Sequence, residues 1–141
     1  MTVPMRAEAM AVLRRPNFAH LATVRADGSP KLDPIWIDLL DDRTVLMASG
    51  RTSLKTRNVL VDQRVAISVV DFDDPYEEVQ LRGICSVDPD TDMAVMDRIS
   101  HKYTGKPFPF RDNLENRVAL RVDVTHCRHA RLPFEHTPPG R

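Results

Sequence analysis

The chain has 141 residues and a mass of 16.0 kDa, with 42% hydrophobic and 28% charged residues, which suits one domain and leaves little room for two. Twenty basic side chains balance twenty acidic ones for a formal net charge of +0, which argues against a partner held by bulk charge, such as nonspecific nucleic acid or an anionic membrane. No apolar run approaches the roughly 20 residues of a bilayer crossing, and no basic segment followed by an apolar stretch opens the sequence, so a cytoplasmic protein is expected.

Thr2 is placed to cap a short amphipathic helix within residues 1–16, with Pro4 in its first turn, Ala9, Val12 and Leu13 at helical spacing, and Pro16 ending it. The period then changes to two. Phe18 to Val24 reads as a strand and Ala26-Asp27-Gly28-Ser29 as a turn. Pro30 to Leu40 follows as a second strand, with Ile35, Ile37 and Leu39 on one face and Trp36 and Asp38 on the other; its prolines mark it as an edge or a bulged strand. Asp41-Asp42-Arg43 turns the chain into a third strand, Thr44 to Ala48. Ser53 to Val61 is helical in character, with Thr52 or Ser53 as its cap. Arg64 to Asp71 is a fourth strand with Val65, Ile67 and Val69 inward, and Glu77 to Asp88 a fifth with Gly83 as a bulge. Asp90 to Tyr103 reads as a helix with a Met93, Met96, Ile99 stripe, followed by a loop in which Phe108 and Phe110 sit among prolines. The clearest strand is Arg117 to Thr125, where Val118, Leu120, Val122 and Val124 alternate with polar residues; 132–141 reads as an irregular tail.

The order α-βββ-α-ββ-α-β describes a mainly β, mainly antiparallel barrel or α+β roll of six strands and three short helices, as a single domain over 1–141. Neither a dinucleotide-binding glycine motif nor a P-loop is present. His126-Cys127-Arg128-His129 lacks signposted third and fourth metal ligands and reads as solvated residues after the last strand. Cys85 sits inside an alternating strand and reads as a packed thiol. The acidic run Asp71-Phe72-Asp73-Asp74 lacks calcium-loop spacing and reads as a hairpin loop.

Most of the chemistry gathers in Ser49-Gly50-Arg51-Thr52-Ser53-Leu54-Lys55-Thr56-Arg57-Asn58, which runs from a strand end into a helix. Free backbone N–H groups, hydroxyls and three cations there describe an anion site of the kind that holds a phosphate; on charge alone, a capped surface helix is the plainer alternative. With sixteen arginines among the twenty basic residues, the four lysines, Lys31, Lys55, Lys102 and Lys106, stand out.

Several pieces in order resemble the flavin/deazaflavin oxidoreductase superfamily, the pyridoxamine 5′-phosphate oxidase-like split barrels, and within it the F420-dependent branch. They are Phe18 to Thr23 with Asp27-Gly28-Ser29-Pro30, then Asp33-Pro34-Ile35-Trp36-Ile37, then Lys55-Thr56-Arg57-Asn58-Val59, then Tyr103-Thr104-Gly105-Lys106-Pro107 and the strand from Arg117. The resemblance implies a six-stranded split β-barrel that forms a homodimer with cofactor sites at the interface. It implies that Lys55 and its neighbours Ser49, Arg51, Ser53, Arg57 and Asn58 hold a cofactor phosphate, and that Asp33, Pro34, Ile35 and Trp36 lie against the ring. Trp36 would then be covered by the partner subunit. The FMN-binding pattern carries an arginine where this chain has Leu54, which favours coenzyme F420 over FMN. The expected activity is hydride transfer from reduced F420 to an enone-type small molecule. Alternatives are an FMN-dependent reductase or oxidase, and a non-catalytic binder of F420, flavin or a haem-type ligand. His20, His101 and Tyr103 are proton-donor candidates by type, and each reads first as structural.

Overall fold

The computed structural model describes residues 1–140. Seven antiparallel strands form one sheet: β1 (Ala19–Val24), β2 (Pro30–Ile35), β3 (Asp38–Leu39), β4 (Thr44–Gly50), β5 (Arg64–Val70), β6 (Glu77–Pro89) and β7 (Arg117–Arg131). Three helices accompany them: α1 (Ala7–Arg14), α2 (Leu54–Val61) and α3 (Ala94–Thr104). The strand order is β2-β1-β5-β6-β7-β4-β3.

The expected six-stranded barrel is corrected in count and in closure. The segment read as one strand over Pro30 to Leu40 is two, because Trp36 and Ile37 leave the ladder. Those two strands are the opposite edges of the sheet. Three Cα steps of about 3.8 Å separate Ile35 from Asp38, so the two edges come within about 11 Å of each other. The sheet must therefore roll up almost fully, yet β2 and β3 do not pair with each other. The split in the barrel lies at Trp36–Ile37. Pro34 removes a ladder donor beside it, and an edge is where a strand tolerates that loss.

Helix α1 begins at Ala7 rather than at a Thr2 cap, because the preceding residues are held extended: Val3 N–H donates to Val124 O and Met5 N–H to Asp42 O. Its Ala9, Val12 and Leu13 join Leu21, Ile37, Met47, Ile67, Leu81 and Leu120 in the core inside the rolled sheet. Helix α3 starts four residues later than Asp90, whose carboxylate accepts from the N–H groups of Val95 and Met96 at 3.0 Å each. Its stripe of Met93, Met96 and Ile99 forms a second, smaller cluster with Trp36, Ala48, Tyr103 and Phe108.

Strand β7 runs six residues past Thr125, so the His126–His129 group lies within a strand and not after one. Register slips between Arg82 and Gly83: Arg82 faces His126, Gly83 faces Val124, and Thr125 is the unpaired residue. The inward phase changes from Val122 and Val124 to Cys127 and His129 across that bulge, which is why the alternation stops at Thr125 in the sequence. Gly83 is required there, since a Cβ would stand 2.5 Å from Asp123 O. His129 Nε2 lies 2.9 Å from Glu77 Oε2, and burial pushes the Cys85 thiol up to about 12. The Asp71 carboxylate accepts from Asp73 N–H at 2.8 Å and pairs with Arg15, which makes the acidic run a tied hairpin loop.

Candidate functional site

A cavity of about 430 Å³ opens at the split. That volume is within the range of small-molecule and cofactor sites, roughly 300–1,000 Å³. Its walls are mostly apolar: Phe18 from the chain before β1, Pro34, Ile35 and Trp36 from the end of β2, Ala48 of β4, Met96 and Ile99 of α3, and Phe108. One end is polar, built by Ser49, Gly50, Lys55 and Arg117.

The apolar wall owes its shape to α3. Trp36 and Ile37 have no strand partner, so their backbone groups need others. Two α3 side chains supply those of Ile37, and a third, Arg98, ties α3 to β3. Ile37 N–H donates to Tyr103 Oη at 3.2 Å, and Tyr103 Oη donates to Asn17 O at 2.6 Å. Lys102 Nζ donates to Ile37 O at 2.6 Å and also to Leu13 O. Arg98 pairs with Asp38 at 2.9 Å and donates to Leu39 O. The Tyr103 ring stacks on Trp36 with centroids 5.0 Å apart and planes 6° from parallel. Burial pushes the Tyr103 hydroxyl up to about 12 and the Lys102 ammonium down to about 8, with Asp38 opposing the latter shift.

The polar end is organised around Gly50. Ser53 caps α2: its Oγ accepts from Thr56 N–H and donates to Gly50 O at 2.9 Å, while Thr56 Oγ1 donates to the same oxygen at 2.7 Å. Ser49 and Ser53 hydroxyls lie 2.9 Å apart. Asn116 latches the turn from the side, taking Arg51 N–H on its carbonyl at 2.7 Å and Thr52 N–H on Oδ1 at 3.2 Å. Ser53 N–H donates to Gly50 O. The free N–H groups expected across Arg51 to Ser53 are therefore committed within the turn. What remains available to a ligand at this end is the half-buried Lys55 in the first turn of α2, Arg117, and the Leu54 and Lys55 N–H groups at the helix start, which have no partner among the described residues. Neither Lys55 nor Arg117 belongs to an ion pair among the described residues.

This geometry agrees with the comparisons to known proteins. The family model for pyridoxamine 5′-phosphate oxidase matches residues 5–131. The chain belongs to the pyridoxamine 5′-phosphate oxidase family. Among solved structures it is similar to an F420 reductase, at 30% identity and a TM-score of 0.79 over 89% of this chain and 98% of that one. A conserved hypothetical protein from Mycobacterium tuberculosis superposes at TM-score 0.77 with 24% identity, over 99% of this chain and 95% of the other. General stress protein 26 from Bacillus anthracis shares the fold at TM-score 0.68 and 15% identity, over 87% and 91%. No curated relative matches the sequence.

Within this family fold, the residues singled out in the sequence separate into three groups. Pro34, Ile35, Trp36, Ser49 and Lys55 meet at the cavity. Arg57 and Asn58 instead line a second depression with Arg25, Asp27, Leu54 and Val61. Asn58 is buried there, its Nδ2 donating to Thr23 Oγ1 at 3.0 Å, which ties α2 to β1. Asp33, Arg51 and Ser53 are near the site without lining it: Asp33 pairs with Lys31 at 2.7 Å, Arg51 is exposed on the turn, and Ser53 is the cap. One face of Trp36 stacks on Tyr103 of its own chain, and the residue stays partly exposed. None of His20, His101 and Tyr103 lines the cavity. Phe108 and Arg117 were not read as site residues. Phe108 is placed by Asp97, whose Oδ1 accepts its N–H at 3.0 Å and which a hydrogen bond from Arg111 holds below the usual carboxylate range. Arg117 faces Gly50 across the β4–β7 ladder, a proximity that only the strand pairing reveals.

Proposed function

We propose that this protein is a homodimeric oxidoreductase that binds reduced F420 in the cavity at the split and passes a hydride to a conjugated, enone-type small molecule. The observation that carries this reading is the cavity itself: about 430 Å³ with mostly apolar walls that include Trp36, and with Lys55 beside the capped start of α2 in its lining. The similarity to a structure named an F420 reductase supports the choice of deazaflavin. Bound F420 supplies the two-electron chemistry. The protein's own residues do the rest. Trp36, held flat by Tyr103, and Pro34 with Ile35 form one wall for the ring. Met96, Ile99 and Phe108 keep water away from it. Lys55 faces the phosphate, where a charge-assisted contact is worth about 1.5–3 kcal/mol.

A second reading, FMN in the same cavity, is favoured by one observation: two cations at the polar end suit a doubly charged phosphate monoester. Calorimetric titration of F420 and FMN separates the two. Tighter F420 binding, followed by oxidation of reduced F420 on addition of an enone, supports the first. Tighter FMN binding replaces it with the second, and F420 binding without any turnover makes the protein a carrier. The dimer is tested by sedimentation: Phe18, Phe72 and Phe110 are exposed apolar surface that a second copy would cover, and a monomeric mass at micromolar concentration rejects it.

A further inference from the structure

We propose that Arg117, the first residue of β7, is a second anion-holding residue of the cavity and closes with Lys55 a two-cation clamp on the ligand's phosphate. This rests on the flavin or deazaflavin reading above. Lys55 and Arg117 are the cations that line the cavity, and no carboxylate lines it. They reach it from different elements. Lys55 comes from α2, while Arg117 pairs with Gly50 across the ladder and so stands on the other side of the same turn. The position before Lys55 is Leu54, so α2 offers the cavity one cation and β7 the other.

The guanidinium is held for this task without being used up. It lies over the Phe108 ring, 5.3 Å from the centroid, and its Nη2 donates to Phe110 O at 2.9 Å. A guanidinium carries five N–H donors in a fixed fork, so one engaged nitrogen leaves several free for a phosphate oxygen pair. Several arginines, among them Arg15, Arg64, Arg98 and Arg111, sit against a carboxylate, and those without one, such as Arg51 and Arg57, are exposed and do not line the cavity. Arg117 has no carboxylate partner among the described residues and is half-buried at the cavity. A half-buried, oriented and unpaired guanidinium beside an apolar slot is at its best facing an anion, because desolvation strengthens the attraction.

The test is calorimetric titration of wild type, Arg117→Gln, Arg117→Lys, Lys55→Ala and the Lys55→Ala/Arg117→Gln double variant. The ligands are F420 and FMN, each with its phosphate-free counterpart, the ribityl deazaflavin and riboflavin. Arg117→Gln should weaken the phosphate-bearing ligand by roughly ten- to a hundred-fold and leave the phosphate-free one within about twofold. Arg117→Lys should recover part of the loss, since it restores charge without the fork. The double variant should lose less than the product of the two single losses, because both cations act on one phosphate. Equal weakening of both ligand types, no weakening of either, or losses that multiply would overturn the clamp. If Arg117→Gln does not fold, Arg117→Lys carries the test through the same contrast between ligands. Wild type that binds neither F420 nor FMN rejects the cofactor reading itself, an outcome distinct from failure of Arg117 alone.

Discussion

The two ends of the cavity differ in whether their polar groups are already spent. At the split, Ile37 N–H, Ile37 O, Asn17 O and Leu13 O are all bonded by Tyr103 and Lys102, so the backbone beside Trp36 is braced from within the chain. At the α2 end the turn from Gly50 to Ser53 is closed by Ser53, Thr56 and Asn116, but two cations and the N–H groups of Leu54 and Lys55 are left over. A braced end makes a rigid wall, and an end with unpaired donors is where a ligand gains free energy by arriving. Substitutions at the first end should therefore cost stability of the empty protein, and substitutions at the second should cost affinity.

The largest expected effect on stability is at Lys102. Lys102→Met leaves the carbonyls of Leu13 and Ile37 without their donor, at about 1–3 kcal/mol for each acceptor. A loss of about 2–4 kcal/mol in urea denaturation of the cofactor-free protein is expected. Tyr103→Phe keeps the Trp36 stack and removes one hydroxyl, so a smaller loss of about 1–2 kcal/mol should follow. A change below about 0.5 kcal/mol for either would mean that the wall does not depend on α3.

A subtler effect is pH dependence. Burial lowers Lys102 from 10.5 to about 8 in the folded protein, so above pH 8 the unfolded chain binds more protons at this site than the native one. The stability this group contributes therefore rises with pH between about 8 and 10.5 and does not change with pH below 8. The neutral amine still has two N–H donors for its two carbonyls. Wild type minus Lys102→Met stability, measured by denaturation across that range, should increase with pH. A flat difference would show that Lys102 stays solvated.

Much of this was legible in the sequence, and what was missed has physical causes. Period-two alternation located the strands, and the prolines at 30 and 34 correctly marked an edge. The break at Trp36–Ile37 was invisible because alternation continues through it: Ile35, Ile37 and Leu39 keep their spacing while the ladder hydrogen bonds pass to α3 side chains far along the chain. The extension of β7 was hidden by the bulge at Thr125, which reverses the inward phase. Lys55 was found because loop, cap and helix start are contiguous. Arg117 was not, because its place beside Gly50 depends on which strands pair. Arg57, two residues beyond Lys55, is turned about 200° around α2 and lines the other depression, while the buried Asn58 spends its amide on Thr23 Oγ1.

The central claim, that the cavity binds a phosphate-bearing flavin or deazaflavin through its unspent cationic end, is tested most directly at Lys55. Titration of F420 and FMN into wild type and Lys55→Ala, together with thermal melting of both proteins without ligand, gives the two quantities that must separate. The expected result is a roughly ten- to a hundred-fold loss of affinity for the ligand that wild type prefers, with the stability of the empty protein unchanged within about 0.5 kcal/mol. Unchanged affinity, or a loss of affinity matched by an equal loss of stability, would contradict it.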